Sequence, residues 1–271
     1  MQLRTIAPPS LLGLTYRGLK ALAPRSLRLA VKELIRRQID AQPEPLQQAI
    51  LNLQTEIAIA RASRDSLGHF RALHAKRDLK VHLGCGEDIR PGWVNIDLTP
   101  LANHTPASCP QTIFINHDLR LGLPLAPNSC QLIYSSHFFE HLDYKHGVQL
   151  LRDCYSALHP GGIFRAALPD LRGLFGAYLL GDREYVTLLE DNVYPVELSP
   201  AFEPEVRAFV DYVNYGVYQY GEHKCIYDQE KLISLLRRIG YCSVTPSSYQ
   251  QGLDPAAPVR RRHSFYIEAI K

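Results

Sequence analysis

Lys80-Val81-His82-Leu83-Gly84-Cys85-Gly86, followed by Gly92-Trp93-Val94-Asn95-Ile96-Asp97, decides how the rest of this chain is read. An apolar run enters two glycines separated by one residue, and a second apolar run ends in an aspartate. Glycine permits a sharp turn and lets backbone N–H groups approach a ligand with no side chain in the way. A carboxylate closing the next strand can accept both hydroxyl hydrogens of a ribose. The stretch therefore reads as a nucleoside-binding crevice at the carboxyl edge of a parallel sheet.

The loop narrows the choice of ligand. A dinucleotide turn wants Gly-x-Gly-x-x-Gly opening a helix whose N-terminus carries a pyrophosphate. Here Ile89 stands at the third glycine position, and Glu87 and Asp88 precede it. Two acids suit a cationic or zwitterionic ligand better than a pyrophosphate.

Further strands follow: Thr112–Ile115 closing on His117-Asp118-Leu119-Arg120, then Gln131–Ser136, then Ile163–Leu168 after the turn His159-Pro160-Gly161-Gly162. Helical spacing covers Tyr144 to Leu158. Alternating strands and helices predict an α/β fold with a doubly wound, mostly parallel sheet.

This order resembles the class I S-adenosylmethionine-dependent methyltransferases. It looks most like the small methyltransferases encoded among glycan-biosynthesis genes, which carry LGCG…GW-x-N-x-D, S-x-x-x-x-EHL, LxPGG, PD and a late H-K…Y-D. The matching residues here are Leu83–Gly86, Gly92–Asp97, Ser136–Leu142, Leu158–Gly162, Pro169-Asp170, His223-Lys224 and Tyr227-Asp228. The resemblance covers residues 78–271, with Leu232 to Gly240 matching its late L…L…G run, and implies a Rossmann-like, seven-stranded sheet whose C-terminal antiparallel hairpin pairs Ser264–Ala269 with a strand near Cys242–Val244. It leaves residues 1–77 as a helical N-terminal extension and residues 171–224 as an aromatic cap insertion. Three positions depart from the pattern: His82 replaces an acid, Gln131 replaces another, and the short Gly86–Asp97 interval leaves little room for a helix.

The resemblance implies S-adenosyl-L-methionine as cofactor. Gly84, Cys85 and Gly86 would form the turn beneath it, and Asp97 would hold the ribose. Asp118 with the backbone of Leu119 would meet the adenine edge, while Ser135 and Ser136 would lie beside the reacting methyl. Asp118 as a turn cap and Ser136 as a helix cap are the structural alternatives.

A hydroxyl acceptor needs a general base, whereas a carboxylate acceptor does not. Glu140 and His141 are expected to open a helix after the fourth strand, with His137 one turn earlier on the same face. Asp170 and His223 are the further candidates to converge there. A neutral imidazole suits proton removal near pH 7. These histidines with Glu140 could instead ligate a metal, but one His-x-x-x-His without fixed partners does not specify one, and no metal is assigned. Tyr212, Tyr215, Tyr218 and Tyr220 are candidates to line an acceptor pocket or to fill the cap's own core.

Composition bounds the partners. The 271 residues carry a net charge of +3, so no global field calls for nucleic acid, and Arg260-Arg261-Arg262-His263 reads as a solvated loop. The six cysteines fall singly, without Cys-x-x-Cys, which favours a reducing, cytoplasmic setting and argues against structural zinc. Residues 1–32 hold six Lys and Arg and no acid, interleaved with leucines. A docked or solvated helical extension, a peripheral membrane contact through residues 1–40, and a transit peptide all fit that pattern. After Gln42-Pro43-Glu44-Pro45, Leu46 to Ala60 reads as a helix with an apolar stripe. O-methylation of a sugar, glycan precursor or other small metabolite is the expected activity. A catalytically inactive cofactor-binding module with a membrane- or partner-binding N-terminal helix is the alternative. Oligomeric state is not legible.

Overall fold

The computed structural model describes residues 29, 32–34, 36–37, 44–98, 112–186 and 208–271. The expectations for the basic N-terminal segment therefore fall almost wholly outside the described residues, as do Cys109, Tyr194 and Phe202. The chain divides into two compact units, Met1–Ala58 and Ile59–Lys271. In the first, the described part of helix α1 (Glu44–Leu73) leaves Leu46, Leu51, Leu53 and Ile57 exposed. No helix of the described residues is long and apolar enough to cross a membrane.

The second unit is built on a seven-stranded sheet in the order β3-β2-β1-β4-β5-β7-β6. Its strands are β1 (Leu79–Leu83), β2 (Val94–Asp97), β3 (Ile113–Asn116), β4 (Cys130–Ser136), β5 (Leu158–Pro169), β6 (Ser243–Ser247) and β7 (Ser264–Ile270). The pairs joining β1 to β5 are parallel, and β7 runs antiparallel to both β5 and β6. The predicted Rossmann-like sheet with its closing hairpin is present. The strand order reverses at β1, so the ends of β1 and β4 border the crevice in which this architecture binds ligands.

Side chains alternate across the sheet. One face presents Val81, Leu83, Ile96, Ile133, Phe164 and Ile267 to a single apolar core. Helices α2 (Tyr144–Ala157) and α5 (Gln229–Ile239) cover it through Leu150, Leu151, Leu232 and Leu236, and the end of α1 adds Phe70. Aspartates start both covering helices: Asp143 accepts from the His146 N–H at 2.9 Å and Asp228 from the Lys231 N–H at 2.7 Å.

The opposite face is polar: His82, Asn95, Tyr134 and Arg165 are all buried there. No helix joins β1 to β2. Asn95 substitutes for one by holding the intervening loop, its Oδ1 accepting from Arg90 N at 2.9 Å. Its Nδ2 donates to the carbonyls of Arg90, Trp93 and Ile113 at 3.1, 3.2 and 3.2 Å. Arg165, wholly buried on β5, donates to Asp254 through Nε at 3.2 Å and also through a terminal nitrogen. It reaches Ser247 Oγ at 2.9 Å, Glu268 Oε1 at 2.7 Å and the Ser248 carbonyl at 2.7 Å. This network ties the 248–254 loop to the centre of the sheet.

The end of α1 also braces β3. Ser63 Oγ accepts from the Asp118 N–H at 2.7 Å, and Ser66 Oγ lies 3.0 Å from His117 Nδ1. Phe70 meets the His117 ring edge-on at 5.0 Å.

The cap is a small core of its own. Helices α3 (Leu171–Leu180) and α4 (Phe209–Tyr218) bury Leu171, Leu174, Ala177, Phe209 and Tyr212 together. Tyr212 thus fills the cap, with Tyr215 packed against it, whereas Tyr218 and Tyr220 are exposed.

Candidate functional site

The glycine turn is fixed by its neighbours. Gly84 and Cys85 donate their N–H groups to the Ile96 carbonyl at 2.9 and 3.3 Å, and Gly86 donates to Asp97 Oδ2 at 2.7 Å. Gly84 has φ +61, and a Cβ there would lie 2.3 Å from the Phe138 ring. That position needs glycine on both counts. At Gly86, with φ +50, a Cβ would meet nothing within 4 Å, so the turn presents open space above its second glycine. Burial, with the Asp97 charge behind it, pushes the Cys85 thiol up to about 12. Cys85 is a packing residue with a neutral thiol, not a nucleophile.

Asp97 is half-buried and accepts from both Gly86 N and, through Oδ1, Leu98 N at 2.6 Å. Its carboxylate closes β2 at the edge of the crevice, beside the glycine turn it holds. Asp118, at the end of β3, caps a 3-10 turn over Leu119–Leu121 and is gripped by Arg120. The Arg120 Nε lies 3.0 and 2.9 Å from its two oxygens, and the Arg120 N–H and a terminal guanidinium nitrogen reach them at 2.9 and 2.8 Å, so the carboxylate is held by its own neighbour. The buried Ser135 hydroxyl has no hydrogen-bond partner among the described residues, and Ser136 follows at the strand's end. His82, in place of an acid, contributes its Nδ1 to the Asp88 carbonyl at 3.1 Å. Burial, followed by the Arg90 charge, brings its pKa down to about 4.

The chain after β4 differs from expectation. No α-helix opens at His137, which instead adopts a left-handed φ of 50°. A 3-10 turn over Phe139–His141 follows, Leu142 is extended, and α2 begins only after Asp143. His137 and His141 therefore share no helix face. His137 Nε2 is bound to Ser264 Oγ at 2.7 Å, and its Nδ1 stands 3.5 Å from Glu140 Oε1. Burial holds His137 well below its ordinary pKa, with Arg260, His223 and His141 acting in the same direction.

Glu140, His141 and His223 do converge: one donor atom from each lies within 4.8 Å of the others. The late loop is attached to the turn, since Lys224 N and Cys225 N donate to the Glu140 carbonyl at 2.7 and 3.1 Å. The two imidazoles meet edge to face at 5.0 Å. His223 Nδ1 lies 2.9 Å from the Gly216 carbonyl. Burial lowers the pKa of both rings. Glu140 is only 3% exposed, and neither carboxyl oxygen has a hydrogen-bond partner among the described residues. Burial pushes its carboxyl up to about 8.

Asp170 is outside this group. Its Oδ1 caps α3, accepting from Gly173 N at 3.0 Å, and its charge faces Tyr185 and His263. Arg260 is the addition that sequence reasoning missed. It lies in a short helix, α6 (Pro258–Arg262), half-buried rather than in a solvated loop, and its charge acts on Glu140, His137 and His141. An arginine run with no periodicity carries no sign of which member turns inward.

Residues 82–166 match a family model described as a methyltransferase domain. No curated protein matches the chain. Among solved structures, it is similar to a SAM dependent methyltransferase from Archaeoglobus fulgidus at 16% identity, with 80% of this chain and 94% of that chain covered and a TM-score of 0.41. It is likewise similar to an S-adenosylmethionine dependent methyltransferase from Mesorhizobium loti at 18% identity, covering 75% and 96%, with a TM-score of 0.42. The matched segment runs from β1 into β5 and contains the glycine turn, Asp97, Asp118 and Glu140-His141. The fold is the Rossmann-like methyltransferase fold.

Proposed function

We propose that the chain is an S-adenosylmethionine-dependent O-methyltransferase whose acceptor is a sugar, a glycan precursor or another small hydroxylated metabolite. The observation that carries this reading is the Glu140–His141–His223 cluster after β4, where neutral imidazoles surround a buried carboxyl with unbonded oxygens. Gly84, Cys85 and Gly86 form the turn under the cofactor, Asp97 takes the ribose, Asp118 and Leu119 the adenine edge, and Ser135 and Ser136 flank the methionine portion.

Methyl transfer is an in-line displacement. The acceptor oxygen attacks the methyl carbon from about 3 Å, the C–S bond breaks, and its electrons stay on sulfur as a neutral thioether. The acceptor proton leaves at the cluster. A binding module without chemistry has no use for a carboxyl and two imidazoles gathered at such cost in desolvation. The sugar preference rests on the resemblance. It gains support from an open cleft lined by Trp93, Tyr249, Asp88, Arg90 and Arg261, where aromatic faces alternate with charged hydrogen-bonding groups. The free thiols of the described cysteines fit the cytoplasm.

Calorimetric titration with S-adenosylmethionine and S-adenosylhomocysteine, against NAD as control, tests the cofactor. Micromolar binding of the sulfur compounds alone is expected, and binding of neither sinks the reading. His141→Ala and His223→Ala should keep cofactor affinity while losing turnover on hydroxylated acceptors.

A further inference from the structure

We propose that Glu140, His141 and His223 bind one divalent transition-metal ion of the zinc or cobalt type, leaving a coordination position open for the acceptor oxygen. This deepens the methyltransferase reading and rests on it for the acceptor alone, because the ion is held by the chain's own side chains.

The donor set comes first. Two imidazoles and one carboxylate, with a fourth position free, are the composition of catalytic zinc sites. The nitrogen donors disfavour magnesium and calcium, which prefer oxygen. The three donor atoms already lie within 4.8 Å of one another. Bonds of about 2.0–2.2 Å in a tetrahedron place donors roughly 3.3–3.5 Å apart, so side-chain rotation of about an ångström closes the site.

The surroundings point the same way. Ligating histidines commonly donate their second ring N–H to a backbone carbonyl, which fixes the tautomer and frees the other nitrogen. His223 does so to Gly216 at 2.9 Å. Glu140 supplies the independent observation: a fully enclosed carboxyl with both oxygens unpartnered is costly unless something binds it. His137, 3.5 Å from Oε1, backs the carboxyl on one side. Arg260 faces the same carboxyl and competes with a cation, which sets the expected affinity at micromolar rather than tighter.

With the ion in place, an alcohol bound at the open position is acidified. Its proton leaves to water, its oxygen forms the bond to the methyl carbon, and the C–S bond electrons remain on sulfur.

Chelator-stripped full-length protein titrated with Co2+ tests the site through its visible d–d absorption, with Zn2+ calorimetry alongside. One equivalent should bind with tetrahedral-type bands. His141→Ala and His223→Ala should each abolish them, and Glu140→Gln should weaken binding by about tenfold or more. Histidine-to-glutamine variants replace any alanine variant whose circular dichroism shows misfolding. Absent bands in the wild type, or bands that persist in the His141→Ala/His223→Ala double variant, overturn the proposal and return the proton to the imidazoles. S-adenosylmethionine affinity, measured on the same samples, separates the two readings. Cofactor binding without Co2+ bands removes the metal alone, and Co2+ bands without cofactor binding remove the methyltransferase alone.

Discussion

Asp97 Oδ2 accepts the Gly86 N–H at 2.7 Å, so the residue assigned to the ribose also clamps the glycine turn on which the cofactor rests. Asp97→Ala should weaken S-adenosylmethionine binding by about tenfold or more, since charged hydrogen bonds are lost on both sides of the carboxylate. Asp97→Asn keeps an acceptor for Gly86 and should fall between the two. Calorimetry on the three proteins checks the order, and equal affinities would remove Asp97 from the site.

Gly84 and Phe138 form a close packing pair. Gly84→Ala combines a left-handed residue with a Cβ 2.3 Å from the Phe138 ring. Strain and overpacking together should cost about 2–4 kcal/mol in urea unfolding. Gly86→Ala meets open space and should cost only about 1–2 kcal/mol in stability. Adding Phe138→Ala should recover part of the Gly84→Ala loss but none of the Gly86→Ala loss. A Gly84→Ala protein as stable as wild type contradicts the geometry.

The buried Arg165–Asp254 pair makes a prediction about cooperativity. Asp254→Ala strands a guanidinium in the interior and should cost about 3–5 kcal/mol. Arg165→Met combined with Asp254→Leu should cost less than that single change, because the two wholly buried charges go together and only the part-exposed Glu268 loses its cation. Hydrogen exchange should rise first in residues 248–254 in the single variant.

His82 should confer acid sensitivity. Its folded pKa of about 4 lies below the ordinary 6.5, so between those values the folded chain binds fewer protons than the unfolded one. The resulting contribution of about 3 kcal/mol is present above pH 6.5 and lost as pH falls toward 4. Glu140, raised to about 8, slopes the opposite way, so its effect cancels only when wild type is compared with a variant. His82→Gln should flatten the difference in denaturation midpoint across pH 4 to 6.5. Parallel pH profiles for the two proteins would refute it.

Local signals were read well from the chain. The glycine turn, the aspartate closing β2 and the extent of α2 declare themselves within a few residues, because turn chemistry and helical spacing are short-range. The α-helix expected at His137 was misplaced because a left-handed histidine leaves no mark in apolar spacing. Asp170 was grouped with His141 on proximity to a strand end, yet its carboxyl serves the start of α3. Arg165 with Asp254, and Arg260 with Glu140, join residues far apart in sequence, and only the closed sheet brings them together. Asn95 stands within a motif, but its three hydrogen bonds to the loop and one to Ile113 of β3 are visible only with the backbone in place.

The serines near the end of α1 set a limit on how far the protein can be pruned. The segment that matches a known family begins at His82, and a shortened gene would most naturally start just before it. Such a protein would lack Ser63, Ser66 and Phe70, leaving the Asp118 N–H without its acceptor and the His117 ring bare. The Asp118 end of the crevice, proposed above for adenine, would then lose its footing even though every recognisable motif had been kept. The smallest working unit of this chain starts earlier than its sequence signature, at or before Ile59.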